Sequence, residues 1–500
     1  MDDGTLGGEI ELVLQNLSLI QGEFSAMGLE LNLSKCEITV LGGPSQAAHQ
    51  HALRRAGEVV PNITETPLCN LRLLGIALGP SGLREAVTSF VEKVKQICQR
   101  VGLLDSHWAL FFLSRYVAAP RLNYQLRASP LFHELDALRA IDDVVRLALS
   151  ERLNVDLSDE AWAQASLPVR HGGLGVRSVQ DLALPCFIAS SIASRPLAGE
   201  ILRRSNLQPG RDYQTEAIDL FTEKYPDQAV PQGELARKQR TWDDLASSHR
   251  VEAMLGSANQ VHRARLLAAR TPHSGSWLSV TPVPCLGLHL DNPSCQVAVS
   301  LRLGTQLCQS HLCHCGQRVD PLGHHGLSCR YSAGRLPRHA NLNDVVKRAL
   351  AAAGIPSWLE PVGINRGDGK RPDGVTIFPF SQGKSLCWDS TCVDTFSQSV
   401  VADTAVDPGA AANRAEGRKR EKYRGLVDRY IFEPVSVETS GVLGSSTLAF
   451  LRRVGKRITA QTGDKRETRW LLERISLAVM RGNAASVMAT GRVDFYERQD

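Results

Sequence analysis

Metal-binding side chains are concentrated in residues 313–329, which read CHCGQRVDPLGHHGLSC. Three thiolates and one imidazole are a common ligand set of tetrahedral structural zinc sites, and four protein ligands leave no open position for water. We therefore predict a structural zinc site whose ligands are Cys313, Cys315, His324 and Cys329. Three neighbours offer the same donor atoms, and each could replace one of these ligands: His325, His314 and Cys308.

Two acidic residues follow the cysteines along the chain. Asp373 stands in GKRPDG, where Pro372 favours a turn, and it begins the strand-like run DGVTIF. Asp389 lies within the apolar run SLCWDSTCV. An ionised carboxylate is costly in an apolar strand unless it is paired or binds a metal. Because two carboxylates on neighbouring strands can bind Mg²⁺, we predict a magnesium site of Asp373 and Asp389.

A basic helix is predicted over 411–430, after these acids. Lys419, Lys422 and Tyr423 are spaced i, i+3 and i+4, so they share one helix face. A lysine on that face could stabilise charge on a phosphate group, and we predict that all three residues contribute to catalysis. The alternative is a solvated basic face that contacts phosphates only. Basic residues predicted to contact nucleic acid are Lys370, Arg371, Arg418 and Arg420.

The elements that must position these residues are predicted from periodicity. A helix over 341–354, three strands, the basic helix, a strand IFEPVSVET and a closing helix over 468–487 form a compact α/β order. Residues 83–203 are mostly helical in pattern, and 9–25 form another helix. The run GLELNLSKCEITVLG is predicted to form a turn and strands, and LRLLGIALG a second strand or a hairpin.

Composition excludes several classes of protein. The chain has 500 residues, a net charge of +5 and 43% hydrophobic residues, which excludes wholesale disorder, collagen and coiled coil. No run of about 18 apolar residues is present, so we predict no membrane-spanning helix and no membrane partner. The N-terminus lacks the pattern of a secretory signal. Six of the twelve cysteines lie between Cys308 and Cys392, which indicates a local metal site in a reducing compartment.

The order of these motifs resembles a known family. A Cys-x-Cys…His…Cys cluster, then RPD, a strand Asp and K-x-x-K-Y resemble the C-terminal restriction-enzyme-like endonuclease of non-LTR retrotransposons, a branch of the PD-(D/E)xK nuclease superfamily. The resemblance implies that Asp373 and Asp389 bind catalytic metal. The lysine usually found two residues after the second acid is Thr391 here, and the resemblance implies that Lys419 or Lys422 replaces it. A further acid could come from Asp344 or Glu360.

The first eighty residues resemble the last third of a reverse-transcriptase palm. MDDGTLGG is similar to the x-Asp-Asp hairpin that binds catalytic metal, which would make Asp2 and Asp3 remnants of a polymerase site. The fingers and the strand with the first metal-binding aspartate are expected to precede Met1, so we predict that this chain does not polymerise. In the thumb-like helical stretch, candidate phosphate contacts are Arg115, Arg121, Arg127, Arg170, His171 and Arg177.

These expectations define one overall prediction. The chain is a multidomain α+β protein, with a partial palm (1–80), a helical thumb or connector (81–205), a linker and helical region (206–300), a CCHC zinc knuckle (301–335) and a C-terminal α/β restriction-endonuclease-like domain (336–490). It nicks target DNA with Mg²⁺, contains structural Zn²⁺, and has DNA, RNA and a full-length retroelement protein as partners. It is intracellular, and nuclear if functional. The alternatives are a catalytically decayed nucleic-acid-binding protein and a non-functional retroelement remnant.

Overall fold

The computed structural model of the chain describes residues 4–41, 45–204, 212–364 and 371–491. Its helices in the first half are α1 (Ile10–Ala26), α2 (Gln46–Val59), α3 (Pro80–Val101), α4 (Ser106–Tyr116), α5 (Ala118–Ala128), α6 (Leu135–Leu153), α7 (Asp159–Ala165), α8 (Val179–Arg204), α9 (Tyr213–Lys224), α10 (Gly233–Ala236) and α11 (Gln239–Ser257). Those of the second half are α12 (Gln260–Arg270), α13 (Asn292–Leu303), α14 (His324–Ser328), α15 (Arg335–Ala352), α16 (Val401–Thr404), α17 (Ala410–Lys422), α18 (Ser445–Thr462) and α19 (Glu467–Met488).

The strands are fewer and shorter than the helices. They are β1 (Glu37–Ile38), β2 (Thr64–Glu65), β3 (Arg72–Leu73), β4 (Ile76–Ala77), β5 (His311–Leu312), β6 (Arg318–Val319), β7 (Ser357–Leu359), β8 (Gly374–Thr376), β9 (Leu386–Val393) and β10 (Ile431–Glu438). About 60% of the structure is helical and the sheets are small, so the protein is broadly multidomain α+β, as the sequence predicts.

A four-stranded mixed sheet organises the C-terminal region. Its strand order is β10-β9-β8-β7. Strand β10 runs parallel to β9, whereas β9–β8 and β8–β7 are antiparallel. A parallel pair needs a crossover connection, and α16 and α17 lie in that connection. The predicted order of helix, three strands, helix and strand is confirmed here.

The helices of this region differ in part from the prediction. Helix α15 begins at Arg335 rather than at 341, and neither α16 nor α18 is predicted from the sequence. The basic helix α17 ends at Lys422, eight residues before its predicted end, because Tyr423 leaves helical geometry and a short 3₁₀ turn follows. The lysines therefore stand in the last turn of α17.

One continuous apolar core joins the helical middle of the chain to the sheet. Along α3 the buried positions Val87, Val91, Val94, Cys98 and Val101 recur every three to four residues, which places them on one helix face. The same cluster continues through α4–α6 and α8, and reaches β9, β10, α18 and α19. The sheet is therefore supported by the helices that precede it in sequence.

The sheets in the described part of the N-terminal segment are small. Strands β1 and β2 pair in parallel, and β3 and β4 form the hairpin predicted for LRLLGIALG. Leu74 and Gly75 connect this hairpin with positive φ angles of 50° and 78°, the geometry of a two-residue hairpin turn. The predicted strand region before Gly42 contributes only the two residues of β1.

Helix α8 has the length and apolar composition of a membrane span, the one described helix that does. Core helices of globular proteins meet the same criterion. Its first half is buried, from Val179 to Ala189, and it packs against α5, α6, α9 and α11.

Candidate functional site

The sheet brings Asp373 beside Asp389. Asp373 immediately precedes β8 and Asp389 lies within β9. The Asp373 backbone N–H donates to the Trp388 carbonyl at 2.9 Å, and the Ser390 N–H donates to Oδ2 of Asp373 at 2.6 Å. Pairing of β8 with β9 therefore fixes both the backbone and the carboxylate of Asp373. Asp389 is only 3% exposed.

A close contact between strands holds this arrangement. A Cβ on Gly374 would lie 2.1 Å from the indole ring of Trp388, so only glycine leaves room for that ring. The Trp388 Nε1–H donates to Oδ1 of Asn343 on α15 at 3.0 Å, and the Ser390 hydroxyl donates to the same oxygen at 2.6 Å. Asn343 thus links α15 to the strand that contains Asp389.

Both predicted lysines reach the buried aspartate. Lys419 Nζ lies 2.6 Å from Oδ1 of Asp389, and Lys422 Nζ lies 3.1 Å from Oδ2. Their spacing of three residues places both ammonium groups on the face of α17 that packs on β9. The charge of Asp389 is therefore paired on both oxygens, which is what burial of a carboxylate requires.

His339 of α15 is a member of the site that sequence analysis missed. A ring nitrogen of His339 and carboxylate oxygens of Asp373 and Asp389 lie within 4.8 Å of one another. Its Nε2 is 2.9 Å from Oδ2 of Asp373. The hydrogen bond to Asp373 raises the pKa of His339 above its usual range, against the opposing effect of burial. Burial by itself would raise the pKa of Asp373, but the hydrogen bond and charge of His339 outweigh it, and the pKa is lowered.

The surroundings of His339 define its tautomer. Asn343 uses Oδ1 for the Trp388 and Ser390 donors, so its Nδ2 faces Nδ1 of His339 at 3.4 Å. In the neutral imidazole Nδ1 is then the acceptor, and Nε2 holds the proton that faces Asp373 and the Ser390 carbonyl. His339 must lose that proton before Nε2 could bind a metal ion. The arrangement therefore makes His339 a positioning residue for Asp373.

Tyr423 and Arg371 lie at the edge of the site. The Tyr423 side chain is buried, and its hydroxyl donates to the backbone carbonyl of Arg371 at 2.7 Å. This contact fixes the turn two residues before Asp373. The Arg371 guanidinium, 42% exposed, pairs with Glu360.

The remaining predicted nucleic-acid contacts lie on the outer face of α17. Arg418 is exposed, and Arg420 is exposed and bonded to the Ser446 hydroxyl. Lys370 lies outside the described residues. Of the two further acids considered, Asp344 pairs with Arg348 one turn along α15 and Glu360 pairs with Arg371. Neither joins the group of His339, Asp373 and Asp389.

Other buried acids near the sheet serve as helix caps. Glu416 of α17 accepts hydrogen bonds from the backbone N–H groups of Ser446 and Thr447 at the start of α18. Glu438 of β10 accepts from the N–H groups of Ala411 and Ala412 at the start of α17. A carboxylate at a helix N-terminus satisfies donors that the helix leaves free. These acids are therefore used structurally.

The cysteine cluster is assembled by a hairpin and a short helix. Cys313 follows β5, and its N–H donates to Gln317 at 2.9 Å across a turn that Gly316 completes with a φ of 80°. Cys315 lies within that turn, and α14 precedes Cys329. One donor atom from each of four residues lies within 4.8 Å of the others: Cys313, Cys315, His325 and Cys329.

This set differs from the predicted zinc ligands at one position. His324 lies with its ring stacked on Phe396, 4.4 Å between centroids, and the imidazole beside the thiols belongs to His325. Adjacent residues on a helix point about 100° apart, so only one of the pair can face the cysteines. The fourth ligand is therefore corrected from His324 to His325. Of the other two alternatives, His314 is exposed and Cys308 donates to the Asp320 carbonyl at 3.4 Å.

The four donors fit a tetrahedral ion. Zn–S bonds of about 2.3 Å at tetrahedral angles separate two sulfurs by about 3.8 Å. The sulfurs of Cys313 and Cys329 are 3.8 Å apart. Cys315 Sγ and His325 Nε2 are 3.2 Å apart, and a bound ion would separate them by a few tenths of an ångström to about 3.6 Å.

The structure describes the predicted phosphate contacts of the helical middle, but not the two aspartates predicted at the N-terminus. Asp2 and Asp3 lie outside the described residues. In the helical middle, Arg170 and His171 contact Asp244, and Arg177 pairs with Asp243. The other three candidate phosphate contacts bond to neighbouring protein groups: Arg115, Arg121 and Arg127.

No protein-family model matches this chain, and no curated protein matches it. The site itself therefore provides the argument for function.

Proposed function

We propose that this protein is a metal-dependent endonuclease that hydrolyses phosphodiester bonds in DNA. The observation that supports the proposal is the grouping of Asp373 and Asp389 with His339, next to the ammonium groups of Lys419 and Lys422. Two carboxylates are suitable ligands for Mg²⁺ or Mn²⁺. The motif order that resembles the endonuclease of non-LTR retrotransposons supports the same function, and membership of that family is part of the proposal.

The residues have distinct roles in the proposed reaction. Asp373 and Asp389 hold the metal ion, which when bound supplies a Lewis acid and lowers the pKa of a water molecule. His339 orients the Asp373 carboxylate. One lysine exchanges Asp389 for a phosphate oxygen and stabilises the charge that develops there. Water adds to phosphorus, the P–O3′ bond breaks, and the 3′ oxygen takes up a proton to leave a 3′-hydroxyl.

The cysteine cluster belongs to the same proposal as a structural zinc site. Cys313, Cys315, His325 and Cys329 would hold Zn²⁺ with no open position for a substrate. The proposed partners are DNA and RNA, contacted by the exposed arginines of α17, and the proposed location is the nucleus.

A second candidate is a nucleic-acid-binding protein that does not cleave. The observation that favours it is the full pairing of Asp389, because Lys419 and Lys422 occupy both of its oxygens and a metal ion must displace one of them. Thr391 also stands at the usual lysine position. If this candidate is right, we expect the protein to bind DNA or RNA in a salt-sensitive manner and not to cleave it with metal ions.

Nicking of supercoiled plasmid in Mg²⁺, Mn²⁺ or EDTA tests both candidates. We expect nicking with either metal and none with EDTA. Asp373→Asn and Asp389→Asn keep the side-chain shape but lose the charge, so we expect nicking to fall by at least about 100-fold. Lys419→Met and Lys422→Met should reduce nicking by about 10- to 1,000-fold.

Asp428→Asn is the matched control, because Asp428 is an exposed acid near the end of the same basic segment. It should nick as the unaltered protein does. Circular dichroism of each variant separates a lost reaction from a lost fold. Nicking that persists in both Asp→Asn variants contradicts the endonuclease proposal. Binding without any metal-dependent nicking favours the second candidate.

A further inference from the structure

Two arginines are buried together without an acidic partner. Arg265 of α12 is 7% exposed and Arg302 of α13 is also 7% exposed. In the described part of the chain, the hydrogen bonds of both guanidinium groups go to amide and carbonyl oxygens and not to a carboxylate. Burial of an unpaired charge is expensive, and like charges close together add to that cost.

The hydrogen bonds of the pair involve only neutral acceptors. Arg265 donates to the Gln164 side chain and to the carbonyl of Arg302, at 2.5 and 2.6 Å. Arg302 donates to the carbonyls of Gly173, Val169 and Ala269 at 3.0 to 3.2 Å. Carbonyl dipoles reduce the cost of burial, but they do not cancel two full charges.

Burial lowers the pKa of Arg265 to about 10, and burial with the charge of Arg265 lowers the pKa of Arg302 to about 9. Both groups therefore still bear a charge at neutral pH.

A donor of this pair is also left without an acceptor. Nε of Arg265 is buried and has no hydrogen-bond partner among the described residues. The space for this side chain depends on Gly304, whose φ is 72° and whose missing Cβ would lie 2.5 Å from that nitrogen. The backbone is thus shaped to accept a guanidinium that its own contacts do not fully satisfy.

Both arginines line a small cavity between the helices and the sheet. The cavity has room for water-sized spheres in about 20 Å³, enough for one small occupant. Its wall is mostly apolar, and it includes Trp277, Leu301, Phe396 and Met480. The Ser440 hydroxyl, also in the wall, is bonded to Glu438, so this acid lies behind a hydroxyl group.

We infer that this cavity binds a small inorganic anion of the size of chloride. A single negative charge offsets the positive charge of the two arginines that line the cavity, and the apolar wall suits a weakly hydrated ion. The volume is too small for a polyatomic organic anion such as gluconate. Because the cavity lies between α12, α13, α19 and the loops after β9 and β10, the bound ion stabilises the contact between the helical middle and the sheet. This inference is independent of the proposed endonuclease.

Thermal unfolding in sodium chloride and in sodium gluconate, at equal ionic strength, tests the inference. We expect the midpoint to rise saturably with chloride by about 2 °C or more, and bromide to act alike. Gluconate is too large for the cavity and should give no saturable rise. Equal midpoints in the two salts would overturn the inference, whatever the behaviour of any variant.

Variants identify the site. Arg265→Gln removes one buried charge and should abolish the difference between chloride and gluconate. Arg338→Gln is the control, because Arg338 is also buried but bonds to Asn483 and Leu327 away from the cavity. It should keep the difference. A chloride effect that persists in Arg265→Gln would place the anion elsewhere and contradict the inference.

Discussion

Asp389 shows that a single buried charge requires oppositely charged groups beside it. A carboxylate that is 3% exposed needs compensation, and two ammonium groups on one helix face provide it. Removal of both lysines would leave the charge unpaired, which costs several kcal/mol for a buried ion. The same pairing bears on the proposed reaction, because the ammonium groups that stabilise Asp389 are those that could contact a phosphate oxygen instead.

A buried histidine outside the site makes stability depend on pH. Burial, together with the charge of His289, lowers the pKa of His107 to about 4. Its Nδ1 accepts the Leu290 N–H at 3.0 Å, a bond that needs an unprotonated Nδ1. Below about pH 6.5 His107 is protonated in the unfolded chain but remains neutral in the folded chain. The contribution of His107 is therefore present above pH 6.5 and lost as pH falls through about 4.

We expect the free energy of unfolding to fall by about 2–3 kcal/mol between pH 7 and pH 4.5 because of His107. Urea unfolding at both pH values measures this loss, and His107→Gln should lack it. His51→Gln, at an exposed histidine, is the control and should behave as the unaltered chain. Parallel pH dependence of the His107→Gln and unaltered proteins would contradict the assignment.

At the scale of elements, the N-termini of helices show which buried acids have a structural role. Glu416 caps α18 and Glu438 caps α17, and each acid comes from a different element than the helix it caps. Their carboxylate oxygens accept hydrogen bonds from backbone N–H groups. Asp373, which immediately precedes β8, and Asp389 of β9 have instead a carboxylate oxygen each within 4.8 Å of the other.

The β8–β9 pair provides a test of packing. Gly374→Ala places a methyl group against the Trp388 ring, so we expect a loss of about 1–3 kcal/mol in the free energy of unfolding. Gly417→Ala is the matched control in α17, where no atom lies within 4 Å of the added carbon. It should gain about 0.5–1 kcal/mol from helix propensity. Denaturant unfolding compares the two, and equal stability in both variants would contradict this packing.

The cysteine cluster should stabilise the contact between α14 and α19. Gly326 of α14 packs directly on the backbone of Val487, so loss of the cluster disturbs α19. We expect the purified protein to contain zinc, and Cys329→Ser to lose it and to lower the unfolding midpoint by several degrees. Metal analysis and thermal unfolding measure both effects. Cys285→Ser, at an exposed cysteine, should change neither; unchanged zinc content in Cys329→Ser would refute the ligand set.

At the scale of the whole molecule, the continuous core ties distant segments together. Its buried residues run from Val87 to Met480, so the sheet with the two aspartates rests on helices more than two hundred residues earlier. Among the residues that the structure describes before Pro67, none belongs to this core. Ion pairs within this segment join Arg55 to Glu11 and His49 to Glu65.

We therefore expect a chain that begins at Pro67 to keep its main unfolding transition. Removal of the first 66 residues should shift the midpoint by less than about 2 °C, because the buried cluster is untouched. Differential scanning calorimetry measures the shift. Removal of α19 from Glu467 onward is the contrasting deletion, since its apolar residues from Leu471 to Met480 belong to the core, and it should lower the midpoint far more. A large loss on removal of the first segment would show that it supports the core.

Several features of the site were predictable because they depend on short-range patterns. Asp389 stands out as a charge within an apolar strand, and the spacing of Lys419 and Lys422 places them on one helix face. The hairpin around Leu74 and Gly75 and the order of elements from α15 to β10 follow from the same kind of pattern. Each of these signals is contained within a few neighbouring residues.

Other features depend on contacts between distant residues. His339 joins Asp373 across 34 positions, and Arg265 meets Arg302 across 37, with no local pattern to mark either pair. His325 rather than His324 faces the thiols because α14 begins where it does. By itself the sequence determined the types of residue and the periodicity of the elements. The tertiary structure alone decided which side chains meet, because helix orientation and strand register are set by packing of the whole core.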